Sequence, residues 1–302
     1  ELAQRLLASR PHVFVGVDAP DFNLGLELRL RTAGVKVVHF VCPSIWAWRG
    51  GRVQKLAAAC DHVLCLFPFE PELLRAHGIA ATYVGHPLAD AIPLEPPRAQ
   101  ARAELGIAAG EELVAVLPGS RASEIQYNAA TFLKAARRMH EQRPGLRFVL
   151  PVAPGRRAQV QALVEQHAVG LPLHVTDGRS HEALAACDVT LIASGTATLE
   201  AALFQRPMVI GYRMHPLSFQ LMTRMAYQPW VGLPNILCGD FVVPELLQQA
   251  CTPSALAEAA LGWLDDPARA AAVAARFARL HLELRRDTAR LATDAIAQVV
   301  AA

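Results

Sequence analysis

No stretch of 18 consecutive apolar residues occurs in the sequence, so nothing in it reads as a bilayer-spanning helix. Cysteine is sparse. The six cysteines, Cys42, Cys60, Cys65, Cys187, Cys238 and Cys251, form no C-x-x-C and no paired spacing. That excludes a zinc ribbon and argues against a disulfide framework, leaving reduced thiols in a cytosolic setting. Charge of one sign is also lacking: the formal net charge is only +2 over 302 residues, and no bulk electrostatic case for nucleic acid can be made. There is no G-x-x-x-x-G-K, which excludes a Walker A loop, and no H-E-x-x-H or carboxylate pair with hard-cation spacing, which argues against a metal. No G-x-S-x-G elbow points to a serine hydrolase, and no repeat of 20 to 50 residues points to a solenoid. The chain opens at Glu1 without a methionine and reads as a piece whose start lies upstream, so the lack of a signal peptide carries little weight.

What is present is apolar and alternating. Hydrophobic residues make up 53% and charged residues 19%, which suits a large core shared by two domains. Short apolar runs at His12–Asp18, Val35–Val41, His62–Phe67 and Thr82–Gly85 predict strands, with helices near Leu24–Thr32, Val53–Ala59 and Glu70–His77 between them. "HPLADAIPLEPPRAQ" then reads as a linker. Strands are expected again at Leu113–Leu117, Leu146–Val152, Leu171–Thr176, Val189–Ala193 and Met208–Tyr212, with helices including Ser123–Glu141 and Arg156–His167. From Thr252 on the chain is alanine-rich and helical. Buried strands alternating with helices predict an α/β fold of parallel sheets covered on both faces. Residues 1–92 are expected to form one Rossmann-like domain, incomplete at its start, and 93–275 a second. Residues 276–302 are expected to be helices that pack on the first domain or on a partner subunit.

Ligands of such sheets gather beyond the carboxyl ends of the strands. "LVAVLPGSRASEI" ends a strand on Pro118-Gly119-Ser120-Arg121. A glycine there admits a ligand close to the backbone, the following helix offers bare N–H groups at its positive end, and Arg121 adds a planar fork of donors for phosphate oxygens. "DVTLIASGTATLEAAL" repeats the pattern with Ser194, Gly195 and Thr196, and Glu200 sits one turn inside, where a carboxylate can take ribose hydroxyls. An ordinary helix cap and an ordinary first-turn charge are the simpler alternatives for these residues. Together the two turns point to a nucleotide diphosphate. Asp18 ends the first strand, placed as a general base, while Asp21 or Asn23 is expected to cap the next helix. In "PSIWAWRGGRV", Arg49 and Arg52 flank Gly50-Gly51 as candidates to face an anionic substrate, with Trp46 and Trp48 partly core. His86 closes the fourth strand, where a structural role competes with a functional one.

In order, "VGVDAPDFN", "CPSIWAWR", "LPGSRASEI", "ASGTATLEAAL", "GYRM" and "LPNIL" resemble the lipid-A-disaccharide synthase family over essentially the whole length. That family consists of inverting glycosyltransferases with the two-domain GT-B fold. The family's usual opening, a glycine-rich "GE-x-SGD" loop with a hydrophobic membrane patch, has no match here. The resemblance implies UDP-2,3-diacylglucosamine as donor and 2,3-diacylglucosamine 1-phosphate (lipid X) as acceptor. It further implies a β-1,6 disaccharide 1-phosphate and UDP as products, and work at the inner face of the Gram-negative cytoplasmic membrane. By motif match Arg121 holds the donor diphosphate with Gly119 and Ser120, and Ser194, Gly195, Thr196, Glu200 and Asn235 complete the UDP site. Asp18 matches the carboxylate taken as base, and no cofactor or metal is implied. Self-association as a homodimer and contact with the membrane surface are expected partners, nucleic acid is not. Leu217, Leu221 and Met225 share one helical face with Met222 beside them and Arg213 and Arg224 nearby, which is either core or an acyl-contacting surface. The competing readings are a UDP-sugar 2-epimerase on the same scaffold and a non-catalytic nucleotide-sugar binding protein.

Overall fold

The computed structural model describes residues 1–47, 50–216, 219–220 and 227–302. The chain divides into two compact units. One comprises Glu1–Ala91, Leu282–Ala302 and the described residues between 222 and 229; the other comprises Trp230–His281 and the described residues of 92–221.

In the first unit β1 (Val13–Val17), β2 (Lys36–Phe40), β3 (His62–Cys65) and β4 (Ala81–Tyr83) line up in chain order as a parallel sheet. Strand residues alternate between faces. Val37 and Val63 point to a core that also holds Leu24, Leu30, Leu56 and Leu74 from helices α2 (Pro20–Thr32), α3 (Arg52–Ala59) and α4 (Glu70–Arg75). Val38 and Leu64 point the other way, against Leu291, Ala292, Ala295 and Ile296 of the last helix, Thr288–Ala301. The start of that helix is held by Asp90, whose carboxylate accepts the N–H groups of Asp287 and Thr288 at 3.1 and 2.7 Å.

The second unit carries a six-stranded sheet in the order β10-β9-β8-β5-β6-β7, parallel at every pairing. Its strands are β5 (Leu113–Leu117), β6 (Arg147–Val152), β7 (Leu173–Asp177), β8 (Val189–Ala193), β9 (Met208–Tyr212) and β10 (Glu245–Leu247). Strands β5, β8 and β9 have the bounds that their apolar runs predict, because each is buried on both faces and its hydrophobic run is continuous. Helix α7 (Ala122–Gln142) covers one face with Ile125, Ala129, Phe132 and Leu133 fully or almost fully buried. Ile125, Phe132 and Leu133 each contribute roughly 1.5–3 kcal/mol by leaving water.

The order of the second sheet has a consequence for ligands. The chain runs from β5 outward through β6 and β7, then returns to the opposite side of β5 as β8. The crevice beyond the carboxyl ends of β5 and β8 is therefore the topological switch point, where open parallel sheets bind ligands.

Candidate active site

A cavity of about 320 Å³ lies at that switch point. Its lining includes Gly119, Ser120 and Arg121 after β5, Ser194, Gly195 and Thr196 after β8, and Glu200 one turn into helix α10 (Thr196–Leu203). Pro151–Pro154 at the end of β6 and Gly178 and Ser180 after β7 close the remaining wall. The size suits a nucleotide-type ligand. Sequence reasoning misses the walls from β6 and β7, although Pro154-Gly155-Arg156-Arg157 and Gly178-Arg179-Ser180 follow these strands with the same glycine–arginine signal as the turn after β5.

The two turns are not alike. After β8, Gly195 adopts φ 148° and ψ −167°, a conformation open only to glycine, and it leads into α10 without a side-chain cap. The Thr198 hydroxyl donates back to the Gly195 carbonyl at 2.8 Å and fixes the turn, while Ser194 Oγ donates to Val231 O at 3.2 Å. The helix-cap alternative for Ser194 and Thr196 is thus not what the structure shows. After β5, by contrast, Glu124 reaches back, and its Oε2 accepts the N–H groups of Ser120 and Arg121 at 3.0 and 3.2 Å. These two amides, which precede α7, are occupied by the helix's own carboxylate, through the glutamate half of a capping box, so the turn itself offers fewer bare amides than its sequence suggests. Arg121 itself is exposed, with one guanidinium nitrogen 2.6 Å from Glu124 Oε1.

Glu200 is half-buried and lies 3.5 Å from His181 Nε2. Burial pushes its carboxyl above the usual range, and the neighbouring His181 pulls it back.

Asn235 is placed differently from its expected role. It is fully buried in the short helix Leu233–Cys238 and does not line the cavity. Its amide donates to Val243 O at 2.9 Å and to Glu245 Oε1 at 2.8 Å, and its carbonyl accepts the N–H groups of Val242 and Val243. All its polar capacity goes into shaping the 231–245 loop. Glu245, unmarked in the sequence, completes that loop by accepting from the N–H groups of Val231 and Gly232 at 2.9 Å each.

In the first unit Asp18 is exposed at the carboxyl end of β1, its N–H bonded to Phe40 O at 2.8 Å. Asp18 and Ala19 both take left-handed backbone angles, with φ 49° and 42°. Consecutive non-glycine residues in that region carry strain of the kind found at functional turns. Neither Asp21 nor Asn23 caps α2, which begins at Pro20 with Ala19 as its cap residue and no side-chain cap bond. Asn23 instead donates backward to Val17 O and Asp18 O at 3.1 and 2.8 Å, bracing the strained turn, and Asp21 pairs with Arg52. His86 is buried beside Phe67, and burial lowers its imidazole to about 4. Its Nδ1 accepts the Leu88 N–H at 3.1 Å, which leaves the proton on Nε2 and makes the ring a neutral donor. Trp46 is core, its indole N–H donating to buried Glu70 at 2.9 Å. Arg49, Trp48 and the proposed apolar face of Leu217, Leu221, Met222 and Met225 with Arg224 lie outside the described residues.

A turn of bare amides, a cation and a ribose-type carboxylate around one cavity fit a sugar nucleotide, and sequence likeness decides among its users. The family profile described as lipid-A-disaccharide synthetase matches residues 1–300. The chain belongs to the lipid-A-disaccharide synthase family. It is 59% identical over 304 residues to the lipid-A-disaccharide synthase of Albidiferax ferrireducens, covering 99% of this chain and 78% of that protein. It is 56% identical over 301 residues to that of Burkholderia mallei, covering 99% and 77%. Solved structures share the fold at low identity. A UDP-GlcNAc 2-epimerase from Neisseria meningitidis bound to UDP-GlcNAc has a TM-score of 0.65 at 10% identity, over 98% of this chain and 79% of that one. An α,α-trehalose 6-phosphate synthase from Burkholderia multivorans has a TM-score of 0.56 at 16% identity, over 98% and 75%. A lipid-A-disaccharide synthase is a glycosyltransferase of lipid A biosynthesis, so the epimerase reading is not favoured. No helix among the described residues is long and apolar enough to cross a membrane.

Proposed function

We propose that the cavity at the β5–β8 switch point holds the UDP part of UDP-2,3-diacylglucosamine, and that Asp18 is the base that activates the acceptor hydroxyl of lipid X. The observation that carries this reading is the meeting of Gly119, Ser120, Arg121, Ser194, Gly195, Thr196 and Glu200 around one cavity. Thr196 and the first amides of α10 bind phosphate oxygens, Arg121 binds the diphosphate from the opposite turn, and Glu200 accepts from the ribose.

The reaction is a single displacement at the anomeric carbon, with inversion. As the acceptor oxygen bonds to that carbon, its proton passes to the Asp18 carboxylate, and the bond to the diphosphate oxygen breaks. A positioned base contributes roughly 10²–10⁴-fold. The departing UDP gathers negative charge, which the Arg121 guanidinium and the α10 N-terminus stabilise more strongly than they do the bound donor. These groups supply leaving-group stabilisation without any metal. Val17 and Phe22 flank the Asp18 turn and are 58% and 64% exposed, an apolar rim for an acylated acceptor. Because both substrates are lipids, the enzyme works at the membrane surface, and retention on vesicles loaded with lipid X tests that part. Pairing of two copies is read by sedimentation.

The deciding experiment measures disaccharide formation from the two lipid substrates, comparing the wild type with Asp18→Ala and Arg121→Ala. Wild-type turnover in either folded variant removes that residue from the mechanism. Consumption of the UDP-sugar alone, without lipid X, would refute the transfer reading.

A further inference from the structure

Arg121 does not stand alone at the cavity. Its guanidinium has one anchoring contact, Glu124 Oε1 at 2.6 Å, and no other hydrogen bond or ion pair among the described residues. The two side chains differ sharply in exposure, with 79% for Arg121 and 11% for Glu124. The cap on the Ser120 and Arg121 amides accounts for Oε2, but an exposed i,i+3 ion pair adds little to stability, so stability does not explain the contact between Oε1 and the guanidinium.

The loop is built around that carboxylate. Gly119 sits at φ 126°, and a Cβ on it would lie 2.4 Å from Glu124 Cβ and 2.9 Å from Oε2. Only a residue without a side chain lets Glu124 approach. Oε2 then takes the Ser120 and Arg121 amides, which leaves Oε1 aimed at the guanidinium. One turn further on, Asn128 is fully buried; its Oδ1 accepts the Arg213 N–H at 2.7 Å and its Nδ2 donates to the Glu124 carbonyl at 2.8 Å. The start of α7 is thereby tied to the exit of β9, and Glu124 is held at both its backbone and its side chain.

We propose that Glu124 is the positioning residue for Arg121. Its carboxylate grips one guanidinium nitrogen and presents the opposite edge of the fork to the departing diphosphate. This rests on the reading that Arg121 meets the donor diphosphate. The two turns then divide the task, the β8 turn giving backbone amides and the β5 turn giving an oriented cation. A flexible arginine would lose side-chain freedom each time it met the transition state, and Glu124 removes that cost in advance.

The test is a double-mutant cycle on steady-state rates with both lipid substrates, using Glu124→Gln, Arg121→Ala and the double variant. Glutamine keeps an acceptor for the loop amides but loses the charge that holds the guanidinium. Glu124→Gln is expected to lower kcat about tenfold with donor KM within about twofold, and the double variant is expected to match Arg121→Ala within about twofold. Losses that multiply, or wild-type kcat in Glu124→Gln, overturn the proposal and leave Glu124 as a cap only. Wild-type turnover in Arg121→Ala instead overturns the diphosphate reading beneath it. Should Glu124→Gln fail to fold, Arg121→Lys carries the test. A single ammonium cannot face Glu124 and the diphosphate with opposite edges, so its kcat is expected near that of Arg121→Ala, and a value near wild type overturns the proposal.

Discussion

Replacing Gly16 with alanine should damage the first unit out of proportion to one methyl group. Gly16 lies inside β1, paired in register with His39 of β2. Gly16 does not have a positive φ, so its backbone is open to alanine, and the change by itself would stabilise by about 0.4–1 kcal/mol through the unfolded chain. The obstacle is Glu27, because a Cβ at Gly16 would sit 1.8 Å from its Oε1. That oxygen is 2.7 Å from His39 Nδ1, in a carboxylate–imidazole pair with both side chains fully buried. To make room the carboxylate must withdraw by about 1 Å or more, which breaks the pair. No other group takes its place, since Glu27 Oε2 and His39 Nε2 already lack hydrogen-bond partners. Leaving a buried acceptor or donor without its partner costs about 1–3 kcal/mol, and more where the group is charged. Amide hydrogen exchange across β1 and β2 reads this locally, without assuming that the two units unfold together. Removing the carboxylate as well, in Gly16→Ala with Glu27→Ala, relieves the clash. The two changes should therefore couple by about 2 kcal/mol or more rather than add. A Gly16→Ala loss under about 1 kcal/mol, or simple additivity, would refute the steric account.

Asp18→Asn should keep the fold and lower kcat by about 10²–10⁴, read as the initial rate of disaccharide formation. Asn235→Ala strands the Val242 and Val243 amides and should destabilise the second unit by about 1–3 kcal/mol, seen as a lower urea midpoint. Two buried groups give the first unit opposing pH responses. Burial raises the Glu70 carboxyl to about 7 against the pull of the Phe67, Trp46 and Leu66 donors, so stability falls as pH rises from 4.5 towards 7. Burial lowers His86 to about 4, so stability falls as pH drops from 6.5 towards 4. In their shared window the two responses oppose each other, with half-buried His62, also lowered by burial, acting in the same sense as His86. His86→Asn, which keeps an acceptor for Leu88, should reveal a decline with rising pH in thermal melts; an unchanged profile would remove the His86 contribution.

Which parts of this were legible in the amino-acid order follows from the range of the forces involved. Continuous apolar runs fixed β5, β8 and β9, because a strand buried on both faces needs no partner to be recognised. The glycine-bearing strand ends at Gly119 and Gly195 were readable for the same local reason, as backbone angles closed to other residues leave a glycine in place. Strand β10 escaped notice, being three residues long and without a β-branched side chain. Three facts needed the tertiary structure. The sheet order makes the ends of β5 and β8 neighbours, although 70 residues and more separate them in the chain. Glu124, not a ligand, takes the Ser120 and Arg121 amides just ahead of α7. Asn235 turns inward to its own loop. Sequence alone determines where each strand stops and what residue stands there. Which stops share a crevice, and which polar groups are left over for a substrate, depends on long-range contacts that no local pattern encodes.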